Sequence, residues 1–365
     1  MKRFSLALMC LALVFLPALC AAVTLRVYTP FADMDPGAQG WEELLRSWEE
    51  ETGNACEDYS ALQDETWFEE LRRAVSAGEA DLVIVPVGSG LEAKDLVAAQ
   101  ELSQAGVPGV KSLSAMAESD GSILLTPVRY HFETLFVNTD VLEKAGLSVP
   151  GSWEDLVVSC AVLAQTGVTP IANALTEWPE IVLDCAAMMG APAADFGSGT
   201  SKEAAALVLS QLSALGAFGA DPWNAGDQTE ADAFLAGKAA MRFDSWDFSL
   251  SVPEERHDAV LAIPLPGLDG AQRTVLVGTP ACGLALTKAC QNSPERWKAA
   301  LSLAGKILDA RGESGLVTAA GGKLADSMAQ LTLSAQDVSG ILYDRDPDGF
   351  DDWAEKVVSS LMSEP

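Results

Sequence analysis

The sequence predicts an α/β fold with two hydrophobic cores, on three observations. Strand-like and helix-like patterns alternate along the chain. The run Leu82-Val83-Ile84-Val85 is continuously apolar, as a parallel strand covered on both faces requires. The 365 residues less a 22-residue leader leave 343, enough for two cores of ordinary size.

The elements follow in order. Thr24 to Tyr28 is a strand, and Trp41, Leu44, Leu45 and Trp48 recur at i, i+3, i+4 and i+7, a helix that stops at Gly53. Phe68, Leu71 and Val75 form the inner face of a second helix ending before Gly78. Ser152 with Asp155 is a capping-box variant that opens a helix with Leu156, Cys160 and Leu163 inside; Thr200 with Glu203 repeats the device. A helix carrying Phe234 and Leu235 ends at Gly237, and a buried strand from Ala239 to Phe243 delivers Trp246 to a loop. Ser293-Pro294 supplies an N-cap and a first-turn proline. Trp41, Trp48, Trp153 and Trp297 lie on helical apolar stripes and read as core. Lys238, at a helix end, suits the dipole and reads as structural.

Lys2 and Arg3 precede an apolar run from Phe4 to Leu19, the outline of a secretory signal peptide. Cleavage after Ala22 makes Val23 the first mature residue. Acylation at Cys20 is the weaker alternative, because bulky Leu19 stands where a small residue is expected; an uncleaved anchor is a third reading. The expected location is periplasmic or extracellular.

The formal charge is −29, and removal of a leader with two bases and no acids makes it −31. Such a field repels nucleic acid and anionic membranes and favours a neutral or cationic ligand. Of seven cysteines, Cys56, Cys160, Cys185, Cys282 and Cys290 follow the leader; the number is odd, so at least one stays free or pairs between molecules. Cys160 with Cys185 is the candidate pair. Cys282 and Cys290 are too far apart in extended chain to bridge. With only His131 and His257, the chain builds no polyhistidine metal site, and no nucleophile elbow, phosphate loop or paired-cysteine motif is present.

Two segments carry a resemblance. The first is Phe234-Leu-Ala-Gly-Lys-Ala-Ala-Met-Arg-Phe-Asp-Ser-Trp246. The second runs from Pro127 through Val-Arg-Tyr-His-Phe-Glu-Thr-Leu-Phe-Val-Asn-Thr-Asp140 to Val-Pro-Gly-Ser-Trp-Glu-Asp-Leu156 and Gly-Val-Thr-Pro-Ile-Ala172. In order and spacing they resemble the family 1 extracellular solute-binding proteins of ABC importers, a group that mostly captures sugars. With weaker similarity at both ends, the resemblance covers nearly the whole mature chain. Asp244 stands where the family usually has glycine.

The resemblance implies a two-lobed periplasmic binding protein type II fold with several inter-lobe crossovers. It implies no catalysis, a small-molecule carbohydrate ligand, permease transmembrane subunits as partners, a monomer, and no required cofactor. The lobes are expected at 23–128 plus 264–315 and at 129–263 plus 316–365, with crossings near 127–132, 263–266 and 312–320. Hinge closure would enclose the ligand.

A sugar needs aromatic faces for its C–H surfaces and polar groups for its hydroxyls. Trp246 is the first stacking candidate and Trp178 the second; Tyr130, His131 and Phe132 occupy the first crossover. Phe31 and Asp33 follow the first strand and Asp81 opens another, near strand ends. Separately, Asp344, Asp346, Asp348, Gly349, Asp352 and Glu355, with the carbonyl of Phe350, match the ligand intervals of an EF-hand loop. A structural calcium and a solvated acidic turn are both open there; Pro347 and Asp351 favour the turn. Three other functions stay open: a polyamine or other cation binder of the same fold, a chemosensor receptor with the same ligand chemistry, and a secreted glycosidase, which needs only two carboxylates.

Overall fold

The computed structural model describes residues 22–32, 34–86, 89–107, 124–175, 180–188, 190, 199–219, 221–268, 274–275, 277–310, 316, 320–335, 341–342 and 356–357. Its strands are β1 (Thr24–Tyr28), β2 (Ala55–Asp58), β3 (Leu82–Val85), β4 (Thr126–Asn138), β5 (Thr169–Ile171), β6 (Ala239–Ser245), β7 (Val260–Ile263), β8 (Leu265–Pro266), β9 (Thr274–Val275), β10 (Val277–Leu286) and β11 (Ile341–Leu342). The helices are α1 (Ala38–Thr52), α2 (Glu65–Ala77), α3 (Ala99–Gln104), α4 (Thr139–Lys144), α5 (Trp153–Thr166), α6 (Glu180–Met188), α7 (Gly199–Ala214), α8 (Asp227–Leu235), α9 (Lys288–Gln291), α10 (Pro294–Ala310) and α11 (Gly322–Ala335). No helix among the described residues is long and apolar enough to cross a membrane.

Local chemistry sets most of these bounds. In α1 the stripe Trp41, Leu44, Leu45 and Trp48 is buried, and Gly53 ends the helix at φ 70°. Asp64 caps α2 by accepting the Trp67 N–H at 2.8 Å. Ser152 caps α5 by accepting the Asp155 N–H at 3.1 Å, while the Asp155 carboxylate reaches back to the Gly151 N–H rather than to that of Ser152. Helix α7 starts at Gly199, so Thr200 lies inside it and not before it. Trp41, Trp48 and Trp153 are buried as expected, and Trp297 is half-buried against the core that holds Trp41 and Trp48.

One mixed sheet, ordered β2-β1-β3-β10-β4-β6-β5, runs through the molecule. Its β1–β3 end is packed on one face by α1 and α10, through Trp41, Trp48, Leu303 and Ile307, and on the other by α2, through Leu71 and Val75. The β5–β6 end is packed by α5, α6 and α7 on one face, and by α8, α11 and the turn Trp246–Ser251 on the other. Two lobes, each a sheet covered on both faces, result.

Two strands join them. β4 is a continuous strand of 13 residues whose first half pairs with β10 and whose second half pairs with β6. β7 and β10 lie end to end along one edge of β4, since Ile263 pairs with Leu135 and Val277 with Glu133. The chain between them leaves the sheet as the small β8–β9 hairpin and returns to the same edge. Leu265 and Val277 pack with α5–α7, whereas Cys282 and Leu284 pack with α1 and α10. The second change of lobe therefore falls within β10, later than the 263–266 position expected, where register shifts flank Cys282. Of the third crossing, only Leu316 and Ala320 are described; they pack in different lobes.

Cys56, Cys160, Cys185, Cys282 and Cys290 are free thiols. Cys160 and Cys185 share one core but are not bridged. Burial pushes the Cys160 thiol up to about 12 and that of Cys185 well above its ordinary value, so neither supplies the thiolate that disulfide exchange needs.

Candidate functional site

Alternation along β4 sorts the first crossover. Arg129, His131 and Glu133 point to one face, Tyr130 and Phe132 to the other. Tyr130 and Phe132 are buried with their rings stacked at 5.7 Å. His131 is exposed. Its imidazole lies 5.4 Å from the Trp246 ring. Partial desolvation on that packed side pulls His131 below its ordinary value, against the pull of Asp247 and with that of Arg129.

Trp246 begins the short turn that follows β6 and stands over the junction of the lobes. It is 6% exposed, so little of it reaches solvent. Next to it in chain and sheet lie exposed Asp247, half-buried Ser245, whose hydroxyl bonds the Asp247 carboxylate, and half-buried Glu133, which pairs in register with Ser245.

Two buried arginines hold this turn, Arg129 at the Trp246 ring and Arg242 at the Phe248 ring. Arg129 is 6% exposed, and its guanidinium lies over Phe31 at 4.7 Å and over Trp246 at 5.8 Å. It donates to both oxygens of Asp35, at 3.0 and 2.6 Å, and to the Leu316 carbonyl at 3.2 Å. Burial alone would lower its pKa, but the Asp35 hydrogen bonds prevail and raise it. Gly37 permits this approach: a Cβ there would stand 2.5 Å from Arg129 Nη2. Arg242, on β6, is 1% exposed and bonds Asp244, Asp227 and the Ala172 carbonyl.

The remaining expected residues fall elsewhere. Phe31 is buried between Trp41 and Arg129, so it supports the arginine instead of facing a ligand. Asp81 is fully buried, accepts the Arg26 N–H at 2.9 Å and pairs with Arg296. It precedes β3, which runs parallel to β1, whereas Phe31 and Asp35 follow β1; Asp81 thus stands at the opposite edge of the sheet and is structural. Asp33, Trp178 and the acidic loop Asp344, Asp346, Asp348, Phe350 and Glu355 lie outside the described residues. Among the described residues no group of acidic, histidine or cysteine side chains is arranged to hold a metal. Arg129, Asp35, Glu133 and Asp247 were not expected from sequence. The period of two along β4 would have found Arg129 and Glu133.

The family model described as bacterial extracellular solute-binding protein matches residues 32–300. A probable sugar-binding periplasmic protein of Brucella suis biovar 1 (strain 1330) is 27% identical over 198 residues, 47% of this chain and 45% of that protein. The chain covers less than half the length of the curated relatives it matches. Among solved structures, a family 1 extracellular solute-binding protein from Alicyclobacillus acidocaldarius superposes with a TM-score of 0.65 at 14% identity, over 94% of this chain and 99% of that one. The bacterial solute receptor AcbH, described as having an exclusive preference for β-D-galactopyranose, superposes with a TM-score of 0.64 at 14% identity, over 94% and 98%. At such identities these likenesses establish the two-lobed fold.

Proposed function

The chain belongs to the bacterial extracellular solute-binding protein family, and from that premise we propose that it captures a neutral sugar or oligosaccharide between its lobes and delivers it to the transmembrane subunits of an ABC importer. It acts as a monomer without catalysis, and a signal peptide ending at Ala22 exports it. The observation that carries the sugar reading is the company Trp246 keeps. The Trp246 ring stands beside exposed His131, exposed Asp247 and half-buried Ser245, while Arg129 at the junction and Arg242 below the turn are already engaged with carboxylates. Such a surface offers C–H stacking and hydroxyl partners. It offers an anionic ligand little, because Arg129 and Arg242 would have to give up Asp35 and Asp244. The Brucella relative is named a probable sugar-binding protein, and AcbH is described by its preference for a galactopyranose, which is a sugar.

In this reading Trp246 and His131 meet the ligand from the second lobe, with Trp178 and Asp33 as the further expected contacts. Hinge bending along β4 and β10 closes the lobes around it. Exposed Asp247 favours one second reading, a polyamine whose ammonium groups the carboxylate would neutralise. A thermal-shift panel on residues 23–365 separates them, with neutral mono- and oligosaccharides, polyamines and calcium as ligands. The sugar reading expects a raised midpoint with one sugar series that Trp246→Ala abolishes. A rise with polyamines alone would overturn it. A rise with calcium alone would assign the acidic loop at 344–355 and count against the sugar.

A further inference from the structure

Asp244 stands where the signature that this segment resembles usually has glycine, and the structure gives that side chain a task glycine has no atoms for. Asp244 is 4% exposed. Its Oδ2 accepts from Arg242 Nε at 2.5 Å, and its Oδ1 accepts the Ser245 N–H at 2.8 Å. Arg242 in turn donates to the Ala172 carbonyl at 3.1 Å and to Asp227 at 2.7 and 2.9 Å, and its guanidinium lies 5.1 Å from the Phe248 ring centre. One buried cation therefore ties the end of β6 to the first turn of α8 and to the chain leaving β5. The same clasp grips the Trp246–Ser251 turn on both sides of the tryptophan, at Ser245 through Asp244 and at Phe248 through Arg242. A cleft of about 230 Å³, lined in part by Asp227, Arg242, Asp244, Asp247 and Phe248, opens beside the clasp and gives protons a route to it.

We propose that Asp244 is a positioning residue for Trp246: through Arg242 it holds the turn in its binding posture, and protonation of Asp244 loosens that posture, so that ligand capture weakens in acid. The inference rests on the reading of Trp246 as a ligand contact. Burial pushes Asp244 up to about 6, with the charge and hydrogen bond of Arg242 opposing. The other charged groups around it are Asp227 and Glu230 on α8, Asp247 on the turn, and His131 and Glu133 on β4. His131 is also titratable, is pulled below its ordinary value by desolvation and lies against the same ring, so a test has to separate the two.

The linkage has a sign that helps. A carboxyl whose pKa is higher folded than unfolded binds its proton more tightly in the fold, so its contribution to stability improves as pH falls from above 6 toward 4. Acid thus tightens the fold at Asp244 while loosening the clasp. General acid damage would move both downward.

The experiment reads the Trp246 emission directly, with no ligand. Spectra of residues 23–365 are recorded from pH 8 to pH 5 for the wild type, Asp244→Asn, Asp244→Gly and His131→Gln, and the Trp246→Phe counterpart of each is subtracted. The expected result is a Trp246 transition with its midpoint near pH 6 in the wild type and in His131→Gln, absent from both Asp244 variants. Asp244→Gly restores the family residue and leaves no carboxylate to bury, so it keeps the test decisive should Asp244→Asn not fold. Over the same range the melting-temperature difference between wild type and Asp244→Asn should shift in favour of the wild type as pH falls. A transition that survives in Asp244→Gly, that vanishes in His131→Gln, or that is missing from the wild type would overturn the proposal. Failure here leaves the sugar reading standing, and absence of sugar binding leaves this titration interpretable. For a sugar from the thermal panel, the dissociation constant should rise on the order of fivefold from pH 7.5 to pH 5.5 in the wild type and stay level in Asp244→Gly.

Discussion

Arg129 and Arg242 look alike by burial and pairing, yet they do opposite jobs. Arg242 gathers partners from its own lobe: Asp244 two residues on, Asp227 on α8 and the Ala172 carbonyl after β5. Arg129 sits on the crossing strand and reaches Asp35, 94 residues earlier, and the Leu316 carbonyl, 187 residues later. One is a brace inside a rigid body and the other a tie at the joint between two. Nearly complete burial of Arg242 makes its loss costly, because Asp244, with 6% of its side chain exposed, would be left buried without its cation. Arg129 is paired with a carboxylate that keeps 16% of its surface in water, so that partner can rehydrate. Both contact the aromatic turn, Arg129 at Trp246 and Arg242 at Phe248, and the turn is the place where brace and tie meet.

The difference can be broken from either side. Arg242→Met should be the most damaging, removing about 3 to 5 kcal/mol because Asp244 stays buried without its cation. Its melting temperature should fall by on the order of 10 °C, and a fall of only a degree or two would mean that water reaches Asp244 in the fold. Arg129→Met should cost less, about 2 kcal/mol, and carry a signature the first variant lacks. Freed of the tie, the unliganded molecule should have a larger radius of gyration by small-angle scattering, and an unchanged radius would demote Arg129 to simple packing. Gly37→Ala sharpens the comparison, since its methyl group meets Arg129 Nη2 and nothing near Arg242. It should cost about 1 kcal/mol and add little on top of Arg129→Met, because both act on one contact. Additive costs would place the effect of Gly37 elsewhere. Arg26→Met is the baseline: its partner Glu57 is half exposed, and the melting temperature should move by no more than about 1 °C.

Much of the scaffold was legible in the sequence because local chemistry determines it. The α1 stripe, the stops at Gly53, Gly78 and Gly237, and the Ser152 cap each depend on residues within one or two helical turns. The joint was less legible. β7 and β10 share one edge of β4 although 13 residues separate Ile263 from Val277 as a hairpin excursion, and the sequence holds no sign that the chain returns to the edge it left. The site divides in the same way. His131 and Trp246 come into ring contact across 115 positions. Tyr130, His131 and Phe132 are adjacent in sequence, but a strand shows alternate residues to alternate faces, and of the three only His131 shares a face with Arg129. Asp81 misled because a carboxylate beside an apolar strand reads the same at either end of it; here Arg296 occupies it at the end away from the joint. Arg129 in an apolar run gives no hint of Asp35, since an ion pair spanning 94 residues exists only once the lobes are built.

Titration calorimetry of residues 23–365 with the most stabilising neutral sugar, at low and at high salt, tests the central proposal most directly. Capture of an uncharged ligand beside Trp246 predicts saturable binding at one site with the same affinity in both buffers. No heat with any neutral sugar, together with polyamine binding that weakens as salt rises, would contradict it.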